Sequence, residues 1–464
     1  MYAIYDIKNY KWTFEPCEYA CYENSSAVAL CDGILSSFFQ EMFDNVNVNA
    51  NINWMKAFVG PFLLSLYVKE SGDLIITQHL FGNGKDLYIT CNDNTIYFAS
   101  SLRELRKLLN KPFNLNIDML PHYFYNGFLA NSHTLVSGVY KLESSTSFII
   151  KNGYIQKKKF EFNEDTYGKN EEIPSTLLTS KYKKVLNNST HLLGCKAGET
   201  KALALSGGFD SNCLLYEIRQ VFPENNVQTF SVGGLKGVDE TDIAFKISNQ
   251  YDNVYFYRSF VSPETLEHLD EIVSILEGSV YERGVFLQFE LSRLLQKHNV
   301  THLICGECAD QVFHINTYKE ISEAPFLYGY QETPLQMAVY AVLKKSRMML
   351  EAHGVQGLYP FLTPEMVSIG YETRNINGTT KEFHKMQCQN MLPNSVVELI
   401  GKNGGSTDLS TLFPDDFECK HKIKKCKYYS ESYMLTKKFD YDEALRDYYL
   451  NLLFLESFEK QFCN

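Results

Sequence analysis

Residues 202–218 read ALALSGGFDSNCLLYEI. An apolar run from Ala202 to Leu205 stops at Ser206, and Gly207, Gly208, Phe209, Asp210 and Ser211 follow. Leu214, Leu215 and Ile218 then recur at helical spacing. The stretch thus leaves a buried strand through two glycines and enters a helix on an aspartate and a serine. Glycine lets the backbone approach a ligand closely. A helix N-terminus adds N–H groups without intrahelical partners and a partial positive charge. Together they suit a phosphate group. Asp210 is out of place against phosphate alone and makes sense if a divalent cation neutralises both. The Gly-x4-Gly-Lys-Ser/Thr phosphate loop is absent, so the chemistry is of another kind.

The elements around this loop follow from patterning. Short apolar runs at 201–205, 227–232, 254–257 and 302–305 suit buried parallel strands. Helical periodicity lies between them, as at 239–249 and 286–298. Repeated strand-then-helix predicts a doubly wound sheet, with ligands at the carboxyl ends of its strands. Beyond about residue 330 the chain reads as mostly helical. The first 165 residues read differently: strand-like runs at 62–67, 74–77, 95–98 and 147–150 are separated by Ser71-Gly72, Gly82-Asn83-Gly84 and Asn152-Gly153. The polar stretch FNEDTYGKNEE at 162–172, closed by Ile173-Pro174, reads as a linker. We therefore expect two domains, 1–165 and 175–464.

Bulk properties narrow the function. A chain of 464 residues exceeds one hydrophobic core. A formal net charge of −11 disfavours non-specific nucleic-acid binding. No run approaches 18 apolar residues, and MYAIYDIKNYKW has no basic stretch followed by a long apolar one, so neither a membrane span nor a signal peptide is expected. The reading is of a cytoplasmic protein whose 12 cysteines stay reduced and serve mainly as small buried hydrophobes. Cys305-Gly306-Glu307-Cys308 lacks a second Cys-x-x-Cys, which argues against zinc or redox use.

The string Ser-Gly-Gly-Phe-Asp-Ser resembles the pyrophosphate-binding loop of the ATP pyrophosphatase superfamily. Three further strings are similar to asparagine synthetases in particular: LICGECADQVF at 303–313, AHGVQGLYPFL at 352–362, and Gly378–Lys381 followed by Leu392-Pro393 and Lys402-Asn403-Gly404. In the N-terminal part, FGNGKDLY, IYFASSL and NGFLANSHTLVSGVYKL resemble strands of that family's amidotransferase domain. The resemblance covers most of the chain. It implies a glutaminase-like β-sandwich of the N-terminal-nucleophile type, followed by an ATP-pyrophosphatase doubly wound parallel sheet with a helical C-terminal part. Its implied cofactors are ATP and Mg²⁺. Asp210 and Asp310 would hold the metal. Leu205, Ser206, Gly207, Gly208, Asp210, Ser211, Val232, Gly306 and Lys381 would contact the nucleotide. Lys402, in a glycine-rich loop, would stabilise charge on pyrophosphate and on the amide-forming intermediate. Glu307 would either accept the amine proton or pack and hydrogen-bond within its loop.

Departures from the family pattern carry information too. Glutamine-dependent members begin Met-Cys, and removal of Met frees the α-amine that activates the thiol. Here position 2 is Tyr2, and Gln78-His79 stands where the family has Arg-Asp. This predicts a retained fold without glutaminase activity. Gln356, Leu358 and Thr363 replace Glu, Arg and Asp of the family, which argues against aspartate as the substrate. The resemblance then points to members such as lasso-peptide cyclases and β-lactam synthetases. These adenylate a carboxylate for attack by an amine of the same molecule. The expected partner is a small molecule or peptide carrying both groups, with a peptide-processing protein or a second copy as possible associates. The alternatives are an ammonia-dependent asparagine synthetase and a non-catalytic Mg-ATP-binding scaffold.

Overall fold

The structure is a computed structural model. It describes residues 2–6, 11–15, 20–44, 54–79, 84–144, 146–151, 154–159, 175–192, 200–234, 240–281, 283–313, 334–373, 381–400, 409–413, 421–430 and 441–463. The N-terminal part holds eleven described strands in two antiparallel sheets. One has the order β2 (Lys11–Glu15), β1 (Tyr2–Asp6), β8 (Thr95–Ala99), β7 (Tyr88–Asn92), β9 (Tyr140–Lys141). The other runs β11 (Tyr154–Lys159), β10 (Thr146–Lys151), β6 (Leu74–Gln78), β5 (Leu63–Val68), β4 (Ala27–Asp32), β3 (Ala20–Glu23). Leu30, Leu63, Leu74 and Ile76 of one sheet share a core with Ile96 and Phe98 of the other, which makes the pair a sandwich. The turn at Asp93 explains the tight β7–β8 hairpin, since its φ of 53° is one that Asp adopts more readily than most residues.

The second part is built on a parallel sheet with five strands among the described residues. Its order is β14 (Val254–Phe260), β13 (Val227–Gly233), β12 (Lys201–Ala204), β15 (His302–Ile304), β16 (Gln356–Leu358). Four of these strands match the apolar runs read from sequence, and β16 is an addition. Its three residues follow Gly354 and precede Pro360, so no apolar run marks it, and only pairing with His302–Ile304 makes it a strand. Interior strand β13 is buried along most of its length, with Thr229 and Ser231 among its buried residues, whereas edge strand β14 is only partly covered.

The sequence of strands in space proceeds from β12 outward through β13 to β14, then returns to the other side of β12 at β15. The join is a topological switch, where β12 and β15 meet at Leu203 and Ile304. Helices alternate with these strands as expected: α1 (Phe209–Val221) after β12, α2 (Glu240–Ser248) after β13, α3 (Gly284–Lys297) after β14, and α4 (Ala309–Phe313) after β15. Further on come α5 (Pro334–Ala352), α6 (Pro364–Glu372), α7 (Glu382–Met391) and α8 (Tyr441–Phe458), in agreement with the helical reading of the C-terminal part. The linker expected at 162–172 lies outside the described residues.

Candidate active site

The loop after β12 is tied to itself. The Ser206 hydroxyl accepts from the Gly208 N–H at 3.1 Å, and the Ser211 hydroxyl accepts from the Ser206 N–H at 3.0 Å. The Asn212 amide donates to the Gly208 carbonyl at 2.7 Å and to the Ser206 carbonyl at 3.1 Å. The turn is therefore rigid before any ligand arrives, which is the condition for recognition without an ordering cost. On the other side of the switch, Gly306 approaches so closely that a Cβ there would lie 3.2 Å from the Ser211 backbone nitrogen. The two loops can touch because residue 306 has no side chain. At Gly208, by contrast, a Cβ would meet only the Ser206 hydroxyl, at 3.4 Å. The protein itself leaves room for a side chain there, and that room is on offer to a ligand.

These loops bound a cavity of about 640 Å³ at the carboxyl ends of β12, β13 and β15. Leu205, Ser206, Gly208, Asp210, Ser211, Val232, Gly306, Glu307, Asp310 and Lys381 all line it, so most of the residues singled out from sequence converge on one space. Gly207 instead faces α2, where a Cβ would lie 3.1 Å from Ile243. Lys402 lies outside the described residues. Gln356, Leu358 and Thr363 do not line this cavity. Leu358 is buried in the sheet core, and the buried Thr363 hydroxyl shares a hydrogen bond with Ser189 at 2.9 Å. Gln356 is exposed at the start of β16.

The charge arrangement is the informative part. Lys381 Nζ sits between two carboxylates, 2.6 Å from Asp210 Oδ2 and 2.5 Å from Asp310 Oδ1. One hundred residues separate the aspartates in sequence, yet both aim oxygen at one cation. The other Asp210 oxygen faces His384 Nε2 at 2.8 Å. Burial pushes the Asp210 carboxyl up, but His384 and the Lys381 ammonium more than offset it and hold it below the ordinary carboxylate range. Burial likewise pulls the Lys381 ammonium down, and the two aspartates raise it above its ordinary value. Lys381 adopts a left-handed backbone, φ 54°, pinned by its N–H donating to the Phe313 carbonyl at 3.0 Å. Cys308, in the loop ahead of Asp310, is also left-handed, φ 69°. Two such residues beside one cavity are a local strain that the surrounding packing maintains.

A divalent cation fits this donor set. Two carboxylates already converge on a positive group, their oxygens are hard ligands, and the rest of the cavity floor is backbone suited to phosphate. Asp210 and Asp310 would hold Mg²⁺, which would neutralise charge on a polyphosphate bound over the loop.

Sequence reading missed His384, Lys385 and Lys345, of which Lys385 and Lys345 line the cavity. A signal was present: Lys381, His384 and Lys385 stand at i, i+3 and i+4 at the start of a helix and so share one face. Cys305 and Cys308 are both buried and free, and burial holds both thiols well above their ordinary range, in keeping with a packing role.

Residues 47–161 match the family of the glutamine amidotransferase domain, and residues 195–329 match the asparagine synthase family. The chain thus carries an asparagine synthase domain behind a glutamine amidotransferase domain. A relative in Methanocaldococcus jannaschii, named "Putative asparagine synthetase (glutamine-hydrolyzing) 2", is 23% identical over 278 residues, covering 57% of this chain and 52% of the relative. The chain thus spans about half the length of that curated relative. Among solved structures, the U34-tRNA thiolase NcsA from Methanococcus maripaludis is 16% identical with a TM-score of 0.26, over 52% of this chain and 82% of that one. NMN synthetase from Francisella tularensis is 12% identical with a TM-score of 0.23, over 48% of this chain and all of that one. The sandwich holds the amidotransferase match, and the parallel sheet holds the asparagine synthase match and carries Asp210 and Asp310.

Proposed function

We propose that this chain is an ATP-dependent ligase that forms an amide bond by way of an acyl-adenylate. The observation that supports it most is the convergence of Asp210 and Asp310 on the Lys381 ammonium, at the switch point of a parallel sheet and over a preformed glycine loop. In this reading a substrate carboxylate attacks the α-phosphorus of ATP, and pyrophosphate leaves into the loop 206–211. Lys381 and Lys385 lie where they can offset its charge. An amine then attacks the acyl carbonyl, AMP departs, and the amine loses a proton. Glu307 lines the same cavity and is the candidate acceptor.

We further propose that the amine does not come from glutamine. Gln78 is buried and spends its amide on the Leu142 and Glu143 carbonyls, while His79 is buried within the sandwich. Both stand where the family has Arg-Asp, and both are occupied by packing. Burial also pushes the Cys31 thiol up to about 12, the opposite of what a nucleophile needs. An amine of the same molecule as the carboxylate, as in lactam or macrolactam formation, is the reading we favour.

The test is ATP–pyrophosphate exchange over a panel of carboxylates that includes amino-terminated peptides and aspartate. We expect exchange with a substrate that carries its own amine, and loss of on the order of 10²–10³-fold in Asp210→Ala. Exchange that survives Asp210→Ala would overturn the assignment of the site. Conversion of aspartate and ammonium to asparagine would overturn the intramolecular reading.

A further inference from the structure

His384 is fully buried, yet its ring is held on every side. Nε2 lies 2.8 Å from Asp210 Oδ1, and Nδ1 lies 2.9 Å from the Tyr182 hydroxyl. Phe313 stacks on the ring with centroids 4.5 Å apart and planes 7° from parallel, and Phe361 meets it edge-on at 5.2 Å. Cys388 Sγ is 3.6 Å from Nε2.

A carboxylate can only accept, so Nε2 carries the hydrogen that faces Asp210. In the neutral ring Nδ1 must then accept, and the Tyr182 phenol donates to it. Burial holds that phenol well above its ordinary range, so it keeps its proton. A side chain with one hydrogen-bonded nitrogen at each end and aromatic rings on a face and an edge has no free rotation left. Phe313 ends α4, three residues after Asp310. One ring therefore touches both carboxylate-bearing elements: it bonds to Asp210 and stacks on the helix of Asp310.

We propose that His384 is a positioning residue: it clamps one oxygen of Asp210 so that the other faces Asp310 across the cation site. Tyr182 fixes the ring, the ring fixes the carboxylate, and the stack on Phe313 sets the spacing between the two aspartates. Outer contacts of this type govern metal affinity by orienting ligands already present. The inference rests on the reading that Asp210 and Asp310 hold a divalent cation on ATP.

The experiment compares wild type, His384→Leu, His384→Gln and Tyr182→Phe in the full chain. Binding of Mn²⁺ in the presence of ATP is followed by electron paramagnetic resonance, alongside the melting temperature of each variant. His384→Leu is expected to weaken Mn²⁺ affinity by about 10–100-fold. His384→Gln, which keeps an N–H donor, should recover most of it, and Tyr182→Phe should fall between. A purely structural role would lower the melting temperature of His384→Leu and His384→Gln alike without this ordering of affinities. Wild-type affinity in His384→Leu, or equal loss in His384→Gln, overturns the inference. Where His384→Leu does not fold, an unchanged affinity in Tyr182→Phe overturns it. A wild-type chain that binds no Mn²⁺ with ATP overturns the ligase reading, and the inference with it.

Discussion

His79 shows how much one side chain can set the pH response of a domain. It is 2% exposed, and burial pulls its imidazole down from the ordinary 6.5 to about 3. Between those values the unfolded chain binds a proton that the folded chain refuses. Stability therefore falls as pH drops below 6.5, by about 1.4 kcal/mol per pH unit from this group. The loss is complete near pH 3, where the folded imidazole titrates as well. Melting temperatures of wild type and His79→Gln between pH 7 and 5 should diverge in slope, with the variant flatter on the acid side. Parallel slopes would show that another group governs acid lability. At the same scale, Asp210 could be picked out from its neighbours in sequence, but His384 could not, because a lone histidine in a helix says nothing about which carboxylate it will meet.

At the level of elements, short α4 positions Asp310 and is itself positioned by α6. Gly370 of α6 lies so close that a Cβ there would be 2.6 Å from both the Val312 carbonyl oxygen and Val312 Cγ1. Alanine normally stabilises a helix interior by up to about 1 kcal/mol over glycine. Here the obstruction is backbone of the helix carrying Asp310, which cannot rotate aside, and overpacking costs about 1–3 kcal/mol. Gly370→Ala is expected to lower the melting temperature and to raise the Mg-ATP concentration needed for half-maximal exchange, because relief of the clash moves α4. An unchanged melting temperature would mean that α6 can shift freely.

α5 shows a second division of labour. Val342 and Lys345 face the cavity. Lys344, Arg347 and Glu351, at i, i+3 and i+7, face the N-terminal sandwich.

At the scale of the whole molecule, the two parts are joined by charge as well as by core. Lys344 pairs with Asp86, Arg347 with Asp32, and Glu351 with Lys85. Glu277 of the second part accepts from the Leu102 N–H at 2.8 Å and from the Ser101 hydroxyl at 2.6 Å, and so caps the helix Leu102–Leu109 of the first. Lys344 and Asp86 are both nearly inaccessible, and the Tyr88 hydroxyl donates to Asp86 at 3.2 Å. Burial pulls the Lys344 ammonium down to about 8, while Lys344 and Lys141 overcome the burial of Asp86 and keep its carboxyl ionised. Lys344→Met strands that carboxylate and should cost about 3–5 kcal/mol, whereas Lys344→Met with Asp86→Leu should regain most of the loss. Thermal melts of both variants check this; a double variant no more stable than the single one would show that the pair is not the source of the effect.

Sequence by itself determined the local features: the loop 206–211, four of the five parallel strands, and the residue types of a phosphate and metal site. These follow from chain-local rules, because strand burial, glycine turns and helix starts each leave a short pattern. Tertiary structure decided what depends on distant segments meeting. It made a strand of Gln356–Leu358 by pairing it with His302–Ile304. It placed Asp210 and Asp310 around one ammonium, and it moved Gln356, Leu358 and Thr363 away from the cavity. It also brought Tyr182, Phe313 and His384 together behind Asp210. Such contacts span from about 70 to 200 residues of chain. No periodicity extends that far, and only the packed sheet and its switch point bring those side chains within hydrogen-bonding range.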